Sequence, residues 1–221
     1  MIIRSGLIRN RDGVDSAAFS EHWRHVHGPL ALRVEAMRAY RQNRIVARLP
    51  ASQGDKLHRI DGISQLWFDD AESMRVAMES DEQRACIEDI RGFLSNVTIL
   101  IQKEGETRLH GRADRLPVKF IHLLSGPEMA LQETAENLFA DLALCCDSVA
   151  LRINPVVDKS FSVDPAVPAG NQIIDAVMEI WLPEKAHDAA FRSVSPEHPE
   201  IGLVGSFQVD ELVLKETGHG E

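Results

Sequence analysis

Along this chain, short runs of apolar and β-branched residues alternate with longer stretches of helical spacing, and the switches between them mark the elements. Ile2 to Arg9 is β-prone. Asp15 to Arg38 is helical, with Phe19, Trp23, Val26 and Leu30 on one stripe and Asp15 as the N-cap. Gly28-Pro29 predicts a break into two helical pieces. Tyr40 to Leu49 is a strand, Pro50 to Arg59 a polar loop, and Gly62 to Phe68 the next strand. Asp69-Asp70 caps a helix from Ala71 to about Leu94, interrupted near Ser80, and Val97 to Gln102 is a fourth strand. The order β-α-β-β-α-β is a ferredoxin-like unit.

The charged, aperiodic stretch Lys103 to Leu116 then intervenes, and the order starts again. Val118 to Leu124 is a strand, and Leu131, Ala135, Leu138 and Leu142 form a helical stripe. Ser148 to Val157 is a strand, Lys159 to Gln172 a Pro/Gly-containing loop, and Ile173 to Trp181 a strand. A short helix over Glu184 to Phe191 and a last strand over Ser206 to Leu214 complete the pattern. GISQLWFDDAESM around Trp67 matches DAVMEIWLPEKAHDA around Trp181 in period, aromatic position and acidic helix start. The expected fold is α+β: two ferredoxin-like βαββαβ repeats, over 1–105 and 115–221 with a linker at 106–114, forming an intrachain dimeric α+β barrel. A plainer reading is one unrelated α+β domain with a long tail. Two sheets packed on their open faces predict a closed, mostly apolar interior that suits a small apolar or aromatic ligand.

The 221 residues are 44% hydrophobic and 26% charged, as in an ordinary globular protein. A net charge of -10 argues against nucleic acid, and no basic run suits an anionic membrane surface. MIIRSGLIRNRDG at the start lacks the apolar run of a signal peptide, and no segment reaches the roughly eighteen apolar residues of a membrane span. Cys86, Cys145 and Cys146 include no CxxC and suit reduced thiols of a cytoplasmic protein.

FSEHWRHVHGPL carries His22, His25 and His27 within six positions. On a regular helix the three cannot converge on one ion; His22 and His25, one turn apart, could pair, but no carboxylate or cysteine is placed to complete a site, so no metal is expected. His27 falls at the edge of the apolar stripe, and thirteen residues later comes Tyr40, the one tyrosine of the chain. An imidazole exchanges a proton near neutral pH, and a tyrosine hydroxyl steadies a developing enolate or oxyanion. The structural alternative is that His27 caps the first helical piece and Tyr40 packs with its hydroxyl at the surface.

FSEHWRHVHGPL followed by YRQNRI, RIDGISQLWFDD and AMESDEQRACIEDIRGFL resembles the EthD family. That family is named for a protein of ethyl tert-butyl ether degradation and includes a methylmuconolactone methylisomerase. The resemblance covers roughly residues 2 to 102. It implies the dimeric α+β barrel fold and puts the family's helix histidine and strand tyrosine, which line the isomerase site, on His27 and Tyr40. Trp23, Asn43 and Trp67 follow as pocket residues. Two departures stand out. The isomerase cysteine just before the strand tryptophan is Leu66 here, and the loop histidine, His58, lies nearer the strand than that pattern has it. None of the three cysteines is in position to replace the missing thiol. Gln65 alternates against Leu66 and could face the interior, with Glu179 as its counterpart in the second half. A buried Glu179 would have a raised pKa and could act as a base.

The expected function is a cofactor-independent isomerase or lyase. It would act by proton transfer on a small oxygenated apolar compound of aromatic, lactone or polyketide metabolism, with His27 and Tyr40 catalytic. The alternative is a non-catalytic small-molecule-binding or accessory protein. Related barrels hold haem through a histidine, but no haem-specific motif is present, so no cofactor is expected. The partner is a small-molecule substrate, and a homodimer remains open.

Overall fold

Strand β1 (Ile2–Asn10) is buried on both faces: Ile3, Ser5 and Leu7 on one, Arg4, Gly6 and Ile8 on the other. Successive side chains of a strand point to opposite faces, so this sheet lies between two packed layers. The computed structural model describes residues 1–170, 173–184 and 199–216. The helix expected over 184–191 lies, from residue 185 onward, outside them.

In the first half β1 is followed by α1 (Ser16–His22), one π-helical turn (Trp23–His27) and α2 (Gly28–Ala31). Then come β2 (Ala39–Arg48), β3 (Gly62–Phe68), α3 (Ala71–Met78), α4 (Asp81–Phe93) and β4 (Leu94–Lys103). Asp15 caps α1 through its carboxylate, 2.9 and 2.8 Å from the amides of Ala17 and Ala18. Ser80 caps α4, which explains the interruption between α3 and α4. The stretch expected to be a bare linker contains a three-residue strand, β5 (Arg108–His110). The second half continues with β6 (Val118–Ser125), α5 (Glu128–Cys145), β7 (Val149–Asp158), β8 (Ala176–Leu182) and β9 (Gly202–Lys215). β8 starts three residues later than expected and β9 four earlier.

The strands run β4-β1-β3-β2-β9-β6-β8-β7, all pairings antiparallel, and β4 meets β7 to close an eight-stranded barrel. β5 adds to the outer edge of β7. Four strands of each half take the same order, fourth-first-third-second. The helices pack outside, over two separate apolar clusters, one per half. A third cluster, around Leu7, Ile63, Leu100, Ile121, Val177 and Phe207, fills part of the interior. An eight-stranded barrel is just wide enough to be filled by its own side chains or to hold one small ligand. These side chains pack the middle of the barrel, where the sequence led us to expect an apolar interior.

His122 on β6 is fully buried, with Nδ1 2.9 Å from the Ser206 hydroxyl. Burial pulls its pKa from 6.5 down to about 3. The unfolded chain takes up this proton first. Stability contributed by the neutral ring is thus present above pH 6.5 and lost as pH falls toward about 3. Urea unfolding across that range should show a loss in the wild type that is reduced in His122→Gln; identical slopes would mean that the ring does not titrate with folding.

Candidate functional site

The first helix does not break at Gly28-Pro29. Gly28 keeps helical angles, φ -55° and ψ -51°, and its N–H donates to the carbonyl of Trp23, five residues back. In a regular α-helix the ring of Pro29 would press on the carbonyl four residues before it. Widening the preceding turn to five-residue hydrogen bonds relieves that conflict, and such turns concentrate at functional sites. The same widening rearranges the side chains. His22 and His27 would sit about 140° apart on an α-helix; across the π turn they share one face. Val26, expected on the apolar stripe, is 45% exposed, and His27 is buried in its place.

That shared face meets α4. His22 Nε2 lies 2.8 Å from one carboxylate oxygen of Asp89, and His27 Nδ1 lies 2.9 Å from the other. Both rings also lean on Phe93, with centroids at 4.7 and 5.2 Å. Burial pushes the Asp89 carboxyl up, but hydrogen bonds from His27 and His22 outweigh it and hold the group below the usual carboxylate range. Asp89, sixty-two residues from His27, is the carboxylate that the histidine cluster lacked on paper. His25 points away, near Glu21. Each ring nitrogen is bonded to its own oxygen, and among the described residues no three His, Cys, Asp or Glu side chains are arranged to hold a metal ion.

His27 and Tyr40 line one cavity of about 40 Å³, between the outer face of β1-β3-β2 and the helices. That is room for roughly three waters. Arg4, Ser64, Gln83 and Cys86 supply its other polar groups, and Trp23, Leu66 and Val163 are among its apolar walls. Trp23 lies over Gly62, where a Cβ would come within 2.5 Å of the indole ring, so a bare backbone is needed at that point. Tyr40 is not at the surface but 1% exposed. Its hydroxyl accepts from Gln42 Nε2 at 3.0 Å, and the same amide donates to the Trp23 carbonyl at 2.8 Å. Desolvation raises the phenol well above its ordinary value, so it stays protonated and keeps an O–H to donate. Cys86, set aside on sequence as a helix residue, lines the same cavity opposite Leu66. Burial pushes its thiol up to about 11, so at neutral pH it is a thiol and a weak nucleophile.

Asn43, Gln65, Trp67 and Glu179 do not join this cavity. They face the barrel interior, on the other side of the sheet. Asn43 Nδ2 donates to Gln65 Oε1 at 2.9 Å, and Trp67 Nε1 to Glu104 at 2.9 Å. Glu179 is fully buried between Lys119 at 2.8 Å and Arg152 at 2.6 Å, with Asn154 donating at 2.9 Å. The raised pKa expected for it is overturned. Desolvation does push it up, but Lys119 and Arg152 together hold it far below the ordinary range, so it is a fixed anion of an ion-pair network and a poor base.

His58 is also elsewhere, packed against Gly170, with burial lowering its pKa. Its loop explains this. The β2–β3 loop reaches across to the second half, where Gln53 N donates to the Leu203 carbonyl at 2.9 Å and Leu203 N to Ser52 Oγ at 3.1 Å. The β7–β8 loop returns the exchange. Val163 closes the His27 cavity, Val167 packs in the first half's core, and Asp164 pairs with Arg91 of α4 at 2.7 Å. Among the described residues, the second half lacks counterparts of two of these groups: in register, Phe120 stands where β1 has Arg4, and Leu151 where β2 has Tyr40.

Residues 11–96 match the EthD domain family model. No curated protein matches the chain. Among solved structures, an EthD family protein from Bacillus halodurans is 26% identical over 47% of this chain and 99% of its own, with a TM-score of 0.39. A monooxygenase-like protein from Lactobacillus acidophilus aligns over 98% of this chain and 96% of its own, at 8% identity and a TM-score of 0.56. An anthrone oxidase-like protein aligns over 98% and 94%, at 6% identity and a TM-score of 0.56. At such identities the last two share the fold alone. Residues 11–96 are thus similar to the EthD domain, within a chain whose fold is the eight-stranded α+β barrel that it shares with these two structures.

Proposed function

We propose that this protein is a cofactor-independent enzyme of isomerase or lyase type, moving a proton on a small oxygenated compound held in the cavity of His27 and Tyr40. One observation carries the reading. Asp89 engages His27 Nδ1 and so leaves Nε2 as the ring nitrogen free to exchange a proton, in a cavity that also holds a protonated phenol. His27 takes the proton from carbon, next to a carbonyl of the substrate, and returns it elsewhere or lets a leaving group depart. The Tyr40 O–H, oriented by Gln42, donates to the oxygen on which negative charge builds. Trp23, Phe93 and Val163 are apolar walls of the cavity, and apolar surroundings strengthen both interactions.

A binding or accessory role is the second reading. It is favoured by Leu66, which puts an apolar side chain in the cavity where the resembling isomerase has its cysteine. NMR product scans in D2O separate the two. Lactones, enol lactones and oxygenated aromatics, chiefly of aromatic or polyketide metabolism, are incubated with the protein. An enzyme converts one of them and exchanges its mobile hydrogen for deuterium, and the activity depends on His27. Tight binding without conversion or exchange favours the accessory role.

A further inference from the structure

Arg4, Lys119 and Arg152 are the buried lysine and arginine side chains among the described residues. Lys119 has Glu179 and Glu211 as partners, and Arg152 has Glu179 and Glu104. Arg4 is as buried as Arg152, each 8% exposed, yet forms no ion pair with a described carboxylate, and its Nε is enclosed with no hydrogen-bond partner. The ionisable groups acting on it are the Cys86 thiol and the Tyr40 phenol, both neutral near pH 7. Burial draws the guanidinium down to about 10, so it is still charged.

A buried cation without a partner costs several kcal/mol unless something else supplies the opposite charge. Arg4 lines the His27 cavity. Arg4, Leu66 and Tyr40 stand side by side on β1, β3 and β2. With strands about 4.8 Å apart, that places the backbone of Arg4 about 10 Å from that of Tyr40 across the cavity floor. We infer that Arg4 is the anion-binding residue of this site and that the ligand is a small carboxylate, gripped by the guanidinium at one end while His27 and Tyr40 address the other. A planar guanidinium matches a carboxylate with two parallel hydrogen bonds. This narrows the ligand from a largely apolar compound to an acid. It rests on the cavity being the ligand site, not on turnover there.

The test uses binding alone, so its failure is separate from a failure to find a reaction. The probes are matched acid and amide pairs, acetate with acetamide and benzoate with benzamide. The readout is the one tyrosine of the chain, labelled with carbon-13. In the wild type a carboxylate should shift the Tyr40 signal and bind about tenfold or more tighter than its amide. Arg4→Gln should erase that preference and Arg4→Lys keep part of it. In the same series Arg4→Met should raise Tm by about 2–5 °C, since it removes a buried charge that no described carboxylate balances. A purely structural arginine would instead lower Tm when replaced. Equal binding of acid and amide, a preference that survives in Arg4→Gln, or no Tyr40 shift with either carboxylate would overturn the inference.

Discussion

Replacing His27 with alanine should lower turnover of a converted substrate by about 10²- to 10⁴-fold, the usual span for loss of a positioned acid or base. Binding should change far less, because Arg4, Tyr40 and the apolar walls remain. Asp89→Asn should fall between the variant and the wild type. The amide keeps the shape but no longer imposes one proton arrangement on the Nδ1 that lies 2.9 Å away, so a fraction of the rings presents the wrong tautomer. Steady-state rates with a substrate from the NMR scan check both. If His27→Ala converts that substrate at the wild-type rate, the proton-transfer mechanism is wrong. If Asp89→Asn is unimpaired, the carboxylate only ties α4 to the first helix.

Glu179→Ala should be the most destabilising single change in the barrel, by about 3–5 kcal/mol, because it leaves Lys119 and Arg152 as buried cations short of a partner. Tm should drop by roughly 6–20 °C. The pH dependence has a definite sign. Glu179 has a folded pKa below its ordinary value of 4.5, so its contribution is complete above that value and is lost as pH falls beneath it. The triple change Lys119→Met, Glu179→Leu, Arg152→Met should recover most of the loss, since apolar groups of similar volume often replace a buried ion network at little cost. Thermal unfolding of the single and triple variants decides this; a Glu179→Ala protein as stable as wild type would mean that water already screens the network. Since Glu179 faces away from the His27 cavity, folded variants should keep their affinity for ligands there.

Much of the architecture was legible because it is written in local periodicities. The order of the first half, the Asp15 cap and the interruption at Ser80 all follow from side chains within a few positions of each other. Strand parity also held information that sequence reasoning left unused. Tyr40 and Asn43 are an odd number of residues apart on one strand, so they had to face opposite sides of the sheet. The rest of the site depends on contacts that no window contains. The π turn gives no residue signature beyond the Gly-Pro that provokes it, and without it His22 cannot meet His27. Asp89 comes from another helix, and Lys119 and Arg152 reach Glu179 only through barrel closure. That Arg4 has no ion-pair partner among the described carboxylates is visible only once those carboxylates have positions.

The crossed loops make the halves poor modules. Val163 and Val167, which help wall the His27 cavity and its core, are encoded far downstream of the domain they serve, and Ser52 and Gln53 do the reverse. Recombination between relatives at the 106–114 joint would therefore transplant the roof of one half's cavity together with the body of the other. Ligand preference in such chimaeras would travel partly with the parent that contributed neither His27 nor Tyr40, and inheritance of specificity along this chain is split in a way that the 106–114 joint does not predict.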